Sequence, residues 1–136
     1  MAVPVDSLKR VPLLSTLDDR ALKRVAADLK ERRVEAGNEI VREGSGGIAF
    51  FIVLDGEAAV TVHGNEVRSL KPGDYLGEIS LIDTMADRSA SVVAKTDVTL
   101  AHLSAWEFKP FVLEHPQVAW ELLQVMARRV REAESR

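Results

Sequence analysis

The sequence lacks the features that mark several protein classes. None of its 136 residues is cysteine, which excludes disulfides and thiolate metal sites and is typical of a cytosolic protein. The longest uninterrupted apolar run, Ile48 to Leu54, has seven residues, far fewer than the roughly 20 that cross a bilayer. No basic stretch followed by an apolar one opens the chain, so nothing directs it to secretion. We expect a cytoplasmic protein without a membrane span.

The chain also lacks an excess of positive charge. Its net charge is -3, so no global field draws in a nucleic-acid backbone, and any anion site must be local. Hydrophobic residues make up 46% and charged residues 29%, an ordinary globular composition at the length of one domain. We expect a single domain over 1–136.

Both ends of the chain have helical patterns. A helix is predicted from Asp18 to Lys30, with Thr16 as its N-cap, because its apolar residues recur at the spacing of one helical face. Ser104 and Glu107 form a capping-box pattern that begins a short helix. Pro116 suits the first turn of a last helix. The helical parts are therefore expected at about 8–30 and 104–134.

The last helix carries two apolar stripes. One is a heptad seam, made of Ala119, Leu123, Met126, Val130 and Ala133. The other, beside it, is made of Val118, Leu122 and Val125. The pattern leaves two interpretations open. The helix is either an ordinary amphipathic helix on the core or one that also docks a second copy or a partner.

Short apolar runs separated by turn residues fill the region from about 31 to 103. Seven of the eight glycines lie between Gly37 and Gly73. Turns at roughly 8–12-residue intervals are typical of antiparallel strands that close into a sandwich or barrel. Strands are predicted near 33–35, 39–42, 48–54, 58–63, 66–70, 89–94 and 98–103.

The stretch from Gly77 to Asp83 interrupts this strand pattern. Its apolar residues fit one helical turn better than a strand, and the free amides of a turn that begins at Gly77 make a local anion site. Arg88 follows, and its planar donors suit a phosphate, while Glu78 can accept from a hydroxyl. Together these groups predict a binding site for a nucleotide or a sugar phosphate. A Glu78–Arg88 ion pair that closes a loop is the structural alternative.

The run Gly77-Glu78-Ile79-Ser80-Leu81, followed by Arg88-Ser89-Ala90-Ser91-Val92, resembles the phosphate-binding cassette of the cyclic nucleotide-binding domain family. The order of elements over about Leu8 to Val130 also resembles that family. The resemblance implies an eight-stranded antiparallel β-roll, jelly-roll-like, with an N-terminal helix, a short cassette helix and two C-terminal helices.

The resemblance also implies roles for individual residues. Glu78 would bind the ribose 2'-hydroxyl, and Arg88 would pair with the cyclic phosphate. Ser89, a hydroxyl directly after the arginine, favours cyclic AMP, with cyclic GMP as the other candidate. The remaining cradle residues would be Gly77, Ile79, Ser80 and Ala90.

The last helix is similar to the one that dimerises and closes over the purine in bacterial cyclic AMP receptor proteins. Ala133 and Glu134 stand where those proteins place two hydroxyl residues, so hydrogen bonding to the base is not predicted. Arg129 is either a solvated charge or a group that stacks on the base. An apolar lid over the base could be formed by Leu122, Val125 and Met126. The same three residues could equally be part of the hydrophobic core.

Competing functions are disfavoured by the sequence. A cupin-type metal enzyme needs converging ligands, whereas His63, His102 and His115 are isolated in sequence, so no metal site and no catalytic residue is predicted. No helix-turn-helix follows the last helix, so we expect no direct binding of nucleic acid. A ligand-free interaction or dimerisation module remains the main alternative. We predict a cyclic nucleotide sensor that binds without turnover and signals, through its C-terminal helices, to an effector domain or partner protein.

Overall fold

The structure is a computed structural model that describes residues 3–41, 49–77 and 91–135. Three helical elements precede the strands, and two helices follow them. The helical elements are α1 Val5–Leu8, a 3-10 helix Pro12–Leu14, α2 Asp19–Asp28, α3 Ala105–Glu114 and α4 Pro116–Glu134. The strands are β1 Lys30–Val34, β2 Glu39–Val41, β3 Ala49–Asp55, β4 Ala58–Val62, β5 Asn65–Leu70, β6 Tyr75–Leu76, β7 Ser91–Ala94 and β8 Val98–Ser104.

The eight described strands form two four-stranded sheets. One has the order β1-β8-β3-β6 and the other β2-β7-β4-β5, and every strand pair is antiparallel. The two sheets face each other across an apolar interior. The predicted β-roll with flanking helices is confirmed.

Strand β3 is apolar along most of its length because both of its faces are buried. Successive side chains of a strand point to opposite faces. Phe51 and Val53 lie in the interior between the sheets, whereas Phe50 and Ile52 pack against the helices. The first sheet is therefore the shared wall of two hydrophobic cores.

The second core joins the N-terminal segment to the C-terminal helices. Leu8 and Leu14, which precede α2, are at most 1% exposed and belong to the same cluster as Phe108, Val118 and Leu122. Their burial was not predicted, because α1 and the 3-10 helix are too short to show a periodic pattern. No helix in the described ranges is long and apolar enough to cross a membrane.

The N-cap of α2 corrects the sequence prediction. Asp18, not Thr16, occupies that position, and its carboxylate accepts a hydrogen bond of 2.8 Å from the backbone N–H of Ala21. An ionised cap also interacts favourably with the positive end of the helix dipole. The helix ends at Asp28, because Lys30 already pairs with His102 in the first sheet.

Helix α3 begins at the predicted capping box. The backbone N–H of Ser104 donates to Glu107 Oε1 at 3.0 Å, and Lys30 Nζ lies 3.4 Å from the other carboxylate oxygen. The pKa of Glu107 is lowered, first by that backbone hydrogen bond and then by the Ser104 hydroxyl and Lys30. The lowered pKa means that the ionised carboxylate stabilises the fold.

The Glu107→Gln variant should therefore lose about 1 kcal/mol of stability at neutral pH. Because the folded-state pKa is depressed, this contribution is complete above the ordinary glutamate pKa and is lost as the pH falls through the lowered value. Urea unfolding at about pH 7 and about pH 3 measures the difference. A gap between the two proteins that widens at acidic pH would contradict the assignment.

The two stripes of α4 have different surroundings. Val118 and Leu122 are 1% and 3% exposed and pack into the helical core. In the heptad seam, by contrast, Leu123 and Val130 are 57% and 56% exposed. The seam is thus an apolar surface of the chain rather than part of its core.

Candidate functional site

The predicted cassette joins the two sheets. Gly77 is buried and follows directly on β6, which pairs with β3 in the first sheet. The next described residue, Ser91, begins β7 in the second sheet. The predicted ligand residues Glu78, Ile79, Ser80, Arg88, Ser89 and Ala90 lie outside the described residues, so their roles stay predictions.

Gly77 has the backbone conformation that the motif needs. Its φ angle is +105°, a value that side chains with a Cβ rarely adopt. A glycine is therefore required where the chain leaves the first sheet.

The interior between the two sheets is apolar in the described ranges. It contains a small void of about 10 Å³, about the volume of one water probe. The void is lined by Ile40, Phe51, Val53, Ala58, Leu70, Leu76, Val92 and Leu100. Because none of these side chains can compensate a buried charge, an anion held here needs partners from residues 78–90.

A cleft of about 430 Å³ lies between the second sheet and α4. Among the predicted lid residues, Val125 and Arg129 line it. Leu122 does not, since its side chain is 3% exposed in the helical core, and half-buried Met126 is not among the lining residues. The structure therefore brings together two of the four predicted lid residues at one cleft.

The cleft also contains residues that the sequence analysis missed. Arg68 on β5 and Tyr75 on β6 line it opposite Val125 and Arg129. The ring of Tyr75 is held by Phe50, with ring centroids 5.8 Å apart. Arg68 has the pattern of a solvated strand residue, and only the tertiary fold places it opposite α4. No local sequence signal identifies either residue.

The three histidines lie in different parts of the fold. His63 is in the β4–β5 turn, His102 is on β8, and His115 is at the junction of α3 and α4. The pKa of His102 is lowered, first by burial and then by Arg32 and Lys30. Within the described ranges, the histidines do not converge in the roll as a cupin-type metal centre requires.

Comparison with known proteins assigns the family. The cyclic nucleotide-binding domain model matches residues 31–115. The cAMP-dependent protein kinase regulatory subunit of Aspergillus niger is 43% identical over 104 residues, which is 75% of this chain and 25% of that protein. The chain thus spans about a quarter of the length of the curated relatives it matches.

Solved structures agree with this assignment. The Thermus thermophilus catabolite activator protein superposes with a TM-score of 0.80 at 30% identity, over 90% of this chain and 60% of that one. The regulatory domain of Toxoplasma gondii PKA, crystallised with cAMP, gives 0.73 at 32% identity, over 92% and 48%. The chain belongs to the cyclic nucleotide-binding domain family and is a regulatory domain of that family.

Proposed function

We propose that this domain binds cyclic AMP without turning it over and transmits binding through its C-terminal helices. The observation that carries the proposal is that residues 78–90 connect β6 of the first sheet to β7 of the second, and that these two sheets enclose an apolar interior. The Aspergillus niger relative is a regulatory subunit of a cAMP-dependent protein kinase, and the Toxoplasma gondii domain was crystallised with cAMP, which supports this ligand over cyclic GMP.

In this proposal the phosphate lies against the cassette. The described side chains in the interior between the sheets are apolar and cannot pair with a charge. The phosphate is therefore paired by Arg88 and by the backbone amides that follow Gly77. Ser80, Ser89 and Ala90 complete the cradle with Ile79. A monoanion enclosed by donors and apolar groups is bound tightly because its charge is compensated where water is excluded.

The base lies toward the cleft on the α4 side. Arg129 and Tyr75 offer a guanidinium plane and an aromatic ring at its wall, and Val125 offers an apolar contact. Ala133 and Glu134, near the end of α4, are exposed. We therefore propose that packing and stacking hold the base, without hydroxyl groups from α4.

The signal leaves through α4. Ligand binding can shift the helices only if one arrangement binds the ligand better than another. The exposed heptad seam, with Leu123 and Val130 more than half exposed, offers an interface for a second copy of the chain or for an effector. We propose a homodimer through this seam as the form that transmits binding.

Calorimetric titration of the purified protein with cyclic AMP, cyclic GMP and linear AMP tests the function. We expect saturable binding of one cyclic AMP per chain, weaker binding of cyclic GMP and much weaker binding of linear AMP, whose phosphate carries an additional charge. Absence of heat with both cyclic nucleotides would instead indicate a ligand-free interaction module.

The Glu78→Gln variant tests the ribose assignment. Loss of the carboxylate should weaken cyclic AMP binding by about 1.5–3 kcal/mol, because a charge-assisted hydrogen bond to the 2'-hydroxyl is replaced by a neutral one. The same substitution should have little effect on 2'-deoxy cyclic AMP, which lacks that hydroxyl. Equal losses of affinity for the two ligands would show that Glu78 does not bind the ribose 2'-hydroxyl.

A further inference from the structure

Three potential metal ligands meet at the ends of two helices. Asp28 is the last residue of α2, Glu114 is the last residue of α3, and His115 joins α3 to α4. One ligand atom from each lies within 4.8 Å of the other two. The shortest separation, from His115 Nε2 to Asp28 Oδ2, is 2.8 Å.

Two helices end in carboxylates at this corner. The C-terminal end of a helix carries partial negative charge, which normally attracts lysine or arginine. Neither α2 nor α3 has a basic residue in its last turn, and each ends instead in a carboxylate. Arg24 lines the same cleft but makes no ion pair with Asp28, Glu114 or any other residue in the described ranges. Asp28 and Glu114 therefore place two carboxylates where the C-terminal ends of α2 and α3 meet the N-terminal end of α4, which carries partial positive charge.

The imidazole is fixed while the site stays accessible. The His115 side chain is 9% exposed, and its ring packs on Phe111 with centroids 4.8 Å apart. Asp28 is 39% exposed, Glu114 is exposed, and both face an open cleft of about 430 Å³. A rigid nitrogen ligand beside two solvent-accessible carboxylates leaves room for a metal ion and its water molecules.

We propose that Asp28, Glu114 and His115 bind a divalent transition-metal ion of the Zn²⁺ type. Imidazole nitrogen with carboxylate oxygen is a ligand set that suits Zn²⁺, whereas Mg²⁺ and Ca²⁺ prefer oxygen alone. Zinc binds these atoms at about 2.0–2.2 Å, so its ligands stand roughly 3–3.5 Å apart, and the three ligand atoms here, all within 4.8 Å of one another, need only small side-chain movements to reach that geometry. The ion replaces the His115–Asp28 hydrogen bond, ties α2 to the α3–α4 junction, and completes its coordination with water.

The test is a titration of the full chain with ZnCl₂, without nucleotide, followed by calorimetry and thermal unfolding. We expect one ion per chain and a rise in Tm of roughly 5–10 °C at a Zn²⁺ concentration about 100 times Kd. MgCl₂ at the same concentration should leave the Tm unchanged. An equal rise with Mg²⁺ would show non-specific binding to carboxylates and overturn the proposal.

Glu114→Gln is the decisive variant. Glu114 is exposed and makes no ion pair with another described residue, so the protein should fold, yet Zn²⁺ affinity should fall at least about tenfold. Glu132→Gln, at an exposed carboxylate of α4, should bind Zn²⁺ like the natural sequence. Unchanged affinity in Glu114→Gln would mean that Zn²⁺ binds without Glu114, and would refute the site. Because no nucleotide is present, failure here leaves the cyclic AMP proposal standing.

Discussion

Replacing Arg88 by alanine should weaken cyclic AMP binding by several kcal/mol, at least roughly 100-fold. The side chains in the described part of the interior between the sheets are apolar, so no described group there can take over the phosphate charge. A phosphate left without its guanidinium loses its charge-assisted hydrogen bonds in a place that excludes water. Calorimetry on the variant and the natural sequence measures the loss directly.

Two further variants distinguish the specific role of the Arg88 guanidinium from a general effect of positive charge. Arg88→Lys keeps the positive charge but loses the planar pair of donors, so its affinity should fall between those of the natural sequence and Arg88→Ala. Arg33→Ala removes a 78% exposed arginine that contacts Glu31, and it should bind cyclic AMP normally. A loss below about tenfold in Arg88→Ala would show that the anion is held elsewhere.

Gly56→Ala should destabilise the fold by about 2–5 kcal/mol. Gly56 has φ +84°, and a Cβ there would overlap the carbonyl oxygen of Asp97 and approach Thr96 Oγ1 to 2.9 Å. This turn is held to the one between β7 and β8, since the backbone N–H of Glu57 donates to Thr96 Oγ1 at 3.0 Å. An added methyl group would therefore push two strand connections apart. Denaturant unfolding gives the change in the free energy of unfolding.

Gly64→Ala is the matched control. Gly64 has nearly the same φ, +82°, but a Cβ built on it meets no atom within 4 Å. The variant should therefore lose only the backbone cost, about 1–2 kcal/mol. If the two variants lost equal stability, crowding at Gly56 would not be the cause.

Much of the fold could be predicted because its signals are local. The capping box of Ser104 and Glu107 and the first-turn Pro116 mark helix ends within a few residues, and both are confirmed. The apolar run at β3 predicted a strand, and the structure shows why it does not alternate, since helices cover its outer face. The N-cap prediction failed at Thr16 because Asp18 competes for the same role two residues later.

The candidate site also has parts that could be predicted from the sequence and parts that could not. The cassette could be proposed from sequence because its groups lie within about a dozen residues, from Gly77 to Ala90, although only Gly77 lies in the described ranges. Arg68 reaches the cleft only because the fold places β5 opposite α4. Asp28 and His115 are 87 residues apart and meet only because α2 packs beside the α3–α4 junction. Contacts of this kind depend on tertiary packing, which no local pattern encodes.

A crystal structure of the domain with cyclic AMP tests the central claim most directly. We predict that the Arg88 guanidinium will lie within hydrogen-bonding distance of the cyclic phosphate, with Glu78 on the ribose 2'-hydroxyl and the base toward Val125 and Arg129. A structure in which Arg88 is instead paired with Glu78, and the nucleotide is absent or bound elsewhere, would contradict the account.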